Sequence, residues 1–229
     1  MSAQRFRVWF RKGERVRYIS HLDVLRAWER ALRRAGLPLS YSQGFTPHPK
    51  IAFASPLPLG FVSDAEVMDV TLDEQLPVDE FRSRLAPESS EDLGVLNVEE
   101  IALSSPPPQA ALLWADYTAD VPELPAEAAG EAVREFMSLK AFPWVEERKE
   151  KSRSYDLRPT VALMSVEPLD AGARLCMRLQ ADQSMTSRPE QVMAALFPGH
   201  EVSLYRRTGL VIDQPSPARD AWRRRGQFE

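Results

Sequence analysis

Hydrophobic spacing along this chain changes period in the same order twice, and that order restricts the fold more than any other feature. Arg5-Phe-Arg-Val-Trp-Phe10 alternates, so Phe6, Val8 and Phe10 share one face of a strand. A 3.6-residue pattern follows over 21–35, with Leu22, Val24, Leu25, Trp28, Ala31, Leu32 and Ala35 on one broad side. Ser20 and Asp23 form a capping pair at its start, and Gly36 and Pro38 supply its stop. Strands are then expected over 50–54 and 66–72, a helix over 77–85 and a strand over 93–103. Ser104-Ser-Pro-Pro-Pro-Gln109 breaks the pattern as a linker does. After it come a strand over 112–121, a helix over 127–140, and an extended arm from 144 completed by a strand over 160–166. A strand over 174–180, a helix over 188–197 and a strand over 201–207 follow.

This order predicts an α+β chain, a tandem of two ferredoxin-like (βαββαβ) units with antiparallel sheets and two helices on one face of each. The units are expected at 1–105 and 110–212, with a poorly ordered tail at 213–229. No amino-acid repeat accompanies the repeated order. The stretch 40–60 interrupts the first unit with Pro47, Pro49, Pro56 and Pro58 around the apolar run Ile51-Ala-Phe-Ala54. Proline fixes φ and pushes the preceding residue toward extended backbone. The stretch reads as a stiff loop, a short buried strand and a second stiff loop.

The composition, 44 % hydrophobic over 229 residues, is that of an ordinary globule, and no apolar run approaches a membrane span. The alternating pattern begins at once after Met-Ser-Ala-Gln, so no signal peptide is expected. Cys176 is the one cysteine, which excludes an internal disulfide and a thiolate cage. With His21, His48 and His200 scattered, no metal site is expected. These features together predict a cytoplasmic protein. Glycine-rich phosphate loops, CxxC and HExxH are missing.

The net charge of −4 hides an asymmetry. Residues 1–50 carry eleven Lys or Arg against Glu14, Asp23 and Glu29; residues 64–100 carry twelve carboxylates against Arg82 and Arg84. One consequence is a basic face for an anionic partner. The other is two faces that neutralise each other.

Three stretches hold residues suited to chemistry. In Ser20-His-Leu-Asp23, His21 is a candidate acid or base near neutral pH, or merely the first residue of a capped helix. In 41–50, Tyr41, Gln43, Phe45, His48 and Lys50 crowd a proline-stiffened loop; they hold a ligand, or tie the loop down. If the loop folds over the helix start, His21 and His48 meet beside Arg17, Asp23, Arg26, Arg30 and Arg33 in one cationic cleft. In 149–159, Lys151, Arg153, Asp156 and Arg158 suit phosphate or carboxylate binding, or a solvated arm laced by ion pairs.

The strings Tyr18-Ile-Ser-His-Leu-Asp23, Arg33-Arg-Ala-Gly-Leu-Pro38, Tyr41-Ser-Gln-Gly-Phe45, His48-Pro-Lys50 and Pro56-Leu-Pro-Leu-Gly60 resemble a bacterial family of unknown function. Its members stand beside a radical SAM protein or are fused to that protein's C-terminus. Lys151-Ser-Arg-Ser-Tyr-Asp-Leu-Arg-Pro159 and Arg206-Arg-Thr-Gly-Leu210 are similar to the family's second half, so the resemblance runs to about residue 212. Thr46 departs from the asparagine expected there. The resemblance implies a radical SAM protein as partner, with S-adenosylmethionine and a 4Fe-4S cluster in that partner and no cofactor in this chain, which lacks the CxxxCxxC ligands.

The resulting expectation is an accessory or substrate-recognition protein that binds RNA, such as tRNA or rRNA, for a radical SAM enzyme. One alternative is an RNA-processing or RNA-modifying enzyme with His21 and His48 as acid and base. Another is an adaptor whose basic face docks a protein.

Overall fold

The computed structural model describes residues 3–148 and 151–213; the expected tail lies outside them from residue 214 on, as do the side chains of 147–151. The first half runs β1 (Gln4–Lys12), α1 (His21–Arg34), β2 (Ile51–Phe53), β3 (Val62–Leu72), α2 (Val78–Leu85) and β4 (Val95–Ile101). A short α3 (Pro108–Ala111) leads into β5 (Leu112–Pro122), α4 (Ala126–Ser138), and a hairpin of β6 (Pro143–Arg148) and β7 (Lys151–Asp156). Then come β8 (Val161–Leu169), β9 (Gly172–Gln180), α5 (Pro189–Leu196) and β10 (Leu204–Ile212). The fold is mixed α+β, built on a mostly antiparallel sheet.

Local chemistry accounts for the elements. Ser20 Oγ accepts the Asp23 N–H at 3.2 Å while Asp23 returns the bond to the Ser20 N–H, which satisfies free N–H groups at the α1 start. Gly36, with φ +62°, lets the chain leave the helix through a left-handed turn. Val24, Trp28, Ala31 and Leu32 pack from α1 onto Phe6, Val8 and Phe10 of β1 and onto Met68, Val70 and Leu72 of β3. A second core joins Ala129, Val133 and Phe136 of α4 and Val192 of α5 to Leu175, Met177 and Leu179 of β9.

The strand path is β4-β1-β3-β10-β5-β9-β8, with β2 also on β3. The two halves share one sheet where two were expected. β3 extends to Val62, four residues before the expected start, because its free edge is used twice. Its later part pairs with β2 (Ile51↔Val70 to Phe53↔Met68), and its first residues pair in parallel with β10 (Arg206↔Val62, Arg207↔Ser63). The arm after Phe142 is likewise no extension of the core sheet. It pairs with itself as the β6–β7 hairpin, and β8 starts afresh at Val161. The supposed linker crosses the sheet face away from α1: Ala102 O and Ser105 O accept from Arg5.

Candidate functional site

Where β3 and β10 meet, three charges are almost fully inside. Lys12 is 2 % exposed, Glu66 4 % and Arg207 1 %. Lys12 and Glu66 sit in the apolar registers of their strands, in line with Phe6, Val8 and Phe10 and with Met68, Val70 and Leu72. Every arm of Arg207 is used: Nη1 reaches Glu66 Oε1 at 2.9 Å and Ser55 O at 3.3 Å, Nη2 reaches Pro56 O at 3.2 Å, and Nε reaches Tyr117 OH at 3.2 Å. Lys12 Nζ donates to the Arg17 and Ile19 carbonyls at 3.0 and 3.3 Å. Proline-rich backbone offers carbonyls without matching N–H groups, and Arg207 supplies donors to the 55–56 segment. Burial lowers the Lys12 pKa, with Glu66 opposing and Arg207 reinforcing.

His21 lies against this cluster, its ring edge-on to Phe53 at 5.0 Å. Burial lowers its pKa, against the pull of Glu66 and with help from Arg207 and Lys12. The cavity it shares with Phe10, Lys12, Phe53, Leu57 and Glu66 holds about 10 Å³, room for about one water. No substrate fits there in this conformation.

His48 lies elsewhere. The 41–49 loop leaves from Ser40 and Lys50, which flank Thr71: the Ser40 N–H donates to Thr71 O at 2.9 Å, and the Thr71 N–H to Lys50 O at 3.1 Å. Thr71 pairs with Arg5, at the opposite end of β1 from Lys12. Among the described residues no hydrogen bond or ring contact joins the two histidines. The expected single cleft is therefore not formed, because β2 carries only Phe53 to His21 and leaves the loop at the other end of the sheet. The acid–base pair has no geometry behind it.

The basic quarter is also largely consumed. Arg7 is buried against Asp69 at 2.7 Å, Arg15 meets Glu91 and Asp92, and Arg34 meets Glu88 at 2.7 Å. Arg17 stacks on Tyr18 at 4.9 Å and donates to Gly60 O and Ser203 O, bracing the seam. Asp23 is spent on the cap, and its bonds to Ser20 lower its pKa. What stays on display is the outer face of α1 and the loop. Arg26 and Arg33 make only long in-helix pairs, 3.5 Å to Asp23 and 3.8 Å to Glu29, and Arg30 makes no hydrogen bond or ion pair among the described residues. Tyr41, Gln43, Phe45, Thr46, His48 and Lys50 are all exposed, Phe45 completely. The loop is braced: the Ser42 N–H donates to His48 O at 2.9 Å, the His48 N–H to Ser42 Oγ at 3.1 Å, and Tyr41 bridges to Pro49. Only five residues separate the end of α1 from Ser40, so Arg30, Arg33 and the loop belong to one end of the molecule.

In the second half, Asp156 and Arg158 hold the fold. Asp156 Oδ1 accepts the Phe142 and Arg158 N–H groups at 2.7 and 3.1 Å, and Arg158 donates to Val161 O and Met137 O. Arg153 alone of the three faces an open groove. Sequence reasoning gave no role to Lys12, Glu66, Tyr117 or Arg207. For Lys12 and Glu66 a signal existed, a charge placed in an apolar register; Arg207 entered only within the Arg206-Arg-Thr-Gly-Leu210 string.

A family model described as an uncharacterized protein conserved in bacteria (DUF2344) matches residues 5–189. No curated protein matches the chain. Among solved structures, a Cbf5-Nop10-Gar1 complex aligns at 12 % identity and TM-score 0.49, over 91 % of this chain and 50 % of that one. An H/ACA RNP bound to a substrate RNA containing 2'-deoxyuridine aligns at 12 % and 0.48, over 98 % and 56 %. An archaeal box H/ACA sRNP Nop10-Cbf5 complex aligns at 14 % and 0.44, over 88 % and 46 %. This chain spans about half the length of those chains, and at this level of overlap no functional statement passes from them to it.

Proposed function

The chain belongs to this bacterial family, DUF2344, and on that premise we propose that it is an RNA-binding accessory protein that presents a substrate to a radical SAM enzyme. The observation that carries the reading is Phe45, fully exposed on a braced loop beside Tyr41, His48 and Lys50. A rigid loop that holds aromatic rings in water loses little entropy when an unpaired base stacks on them. Lys50 and the outer arginines of α1 supply charge for the strand's phosphates. Both halves, in the order β4-β1-β3-β2 and β10-β5-β9-β8, are read as ferredoxin-like units spanning 1–105 and 110–212. The cluster and S-adenosylmethionine are assigned to the partner, since the one cysteine here is half-buried with its thiol pushed up to about 11 by burial. Among the described residues no helix is long and apolar enough to cross a membrane, and the cytoplasm is the proposed location.

Fluorescence anisotropy with single-stranded RNA tests the binding. Phe45→Ala and Tyr41→Ala should each weaken it by about 1–3 kcal/mol, the usual loss of one stacked base, with folding stability unchanged. Equal affinity in wild type and both variants, or no affinity at low salt, removes the reading. Co-purification of the tagged chain from its own cell tests the partner; the expected companion is a protein with a CxxxCxxC motif.

A further inference from the structure

A groove of about 350 Å³ lies far along the chain from the proposed RNA surface, between β7 and the turn that follows β9. That volume is within the roughly 300–1,000 Å³ of small-molecule sites. Arg153 and Tyr155 come from β7, and Ser184, Met185 and Arg188 from the 182–188 segment. The Arg153 guanidinium sits 5.6 Å above the Tyr155 ring, and its Nη2 donates to the Met185 sulfur at 3.4 Å. Among the described residues neither Arg153 nor Arg188 is locked in a short ion pair, although Glu146 faces Arg153 across the hairpin and Glu190 acts electrostatically on Arg188; Arg174 and Arg178 on the neighbouring strand are each held by two bonds, to Asp120 and Asp116. One carboxylate, Glu146, stands among the lining residues against the two guanidiniums.

The wall that carries Arg188 is held in advance of any ligand. Asp182 accepts from the Ser184 N–H at 2.8 Å, Ser184 Oγ at 2.6 Å, the Met185 N–H at 3.0 Å and Gln180 Nε2 at 2.8 Å. Ala181 bridges to Thr186, and Thr160 Oγ1 donates to Ser187 Oγ at 3.1 Å. Two planar forks of donors converging on one groove suit a dianionic phosphate, whose oxygens accept several charge-assisted bonds.

We propose that this groove is a binding site for a phosphate ester of nucleotide size, gripped by Arg153 and Arg188. The site is independent of the RNA surface on the loop. Isothermal titration of the full chain with AMP, adenosine and inorganic phosphate tests it. AMP should bind and adenosine should not. Arg153→Ala and Arg188→Ala should each weaken AMP at least about tenfold, as for loss of a charged contact. Both side chains are exposed, so the fold is retained, and Arg134→Ala on α4 serves as the control with unchanged affinity. Phe45→Ala should leave AMP binding intact, which separates this site from the RNA reading. A 5′-phosphorylated oligonucleotide that competes with AMP, where its 5′-hydroxyl counterpart does not, identifies an RNA end as the source; failure to compete identifies a free nucleotide. Absence of AMP binding at millimolar concentration, equal binding of adenosine, or indifference to both arginine variants overturns the proposal.

Discussion

Removing one member of a buried ion pair leaves a charge without water and without a partner. Arg207 is the sharpest instance, since its loss strands Glu66 and the carbonyls of Ser55 and Pro56 together. Arg207→Met should cost about 3–5 kcal/mol in urea unfolding, and combining it with Glu66→Leu should recover part of that loss. His21 gives a second handle. Its folded pKa lies below the ordinary value, so the unfolded chain takes up the proton first as pH falls. The His21 contribution is complete above about pH 6.5, the ordinary imidazole pKa, and declines below it until the folded value is reached. Urea midpoints measured from about pH 8 to pH 5 should fall in wild type, and His21→Asn should flatten that slope. An unchanged slope in the variant would place the titration on another group.

At the scale of elements, the helices are written locally. The Ser20–Asp23 cap and the apolar side of α1 place that helix from sequence alone, and the helix runs over His21–Arg34 against an expected 21–35. The strands are less local. β3 begins four residues before the alternation does, because Ser63 and Asp64 read as polar loop until β10 pairs beside them. The β6–β7 hairpin also escaped the reading, since an extended pattern does not say which edge it joins. One turn is specified by a single residue. Gly172 starts β9 at φ +124°, and a Cβ there would lie 2.2 Å from Val121 O. Gly172→Ala should therefore destabilise by about 2–4 kcal/mol in thermal unfolding, through both strain and clash. A loss under about 0.5 kcal/mol would show that the hairpin shifts freely.

At the scale of the molecule, two cores meet through a short parallel contact and one buried charge cluster. Wild type should unfold in one transition and Arg207→Met in two, read by near-UV circular dichroism; two transitions in wild type would show the seam to be weak. With a net charge of −4, the proposed RNA binding requires a local basic surface on an otherwise repelling body. Replacing Arg26, Arg30 and Arg33 by Gln should lower the slope of log affinity against log salt by roughly 2, since each lost phosphate contact on a single strand removes about 0.7. A slope equal to that of wild type would take α1 out of the interface.

Periods, caps and prolines are properties of neighbouring residues, so the chain alone determined α1, α2, α4 and α5, most of the order of its elements and the stiffness of the 41–50 loop. Which side chains share a space depends on pairings across many residues, Arg207 with Glu66 across 141 of them. Only the tertiary structure could decide that Arg7, Arg15 and Arg34 face acidic partners, that His21 and His48 stand apart, and that Arg153 and Arg188 line one groove. Burial and strand register set those choices, and neither is carried by any short stretch of sequence.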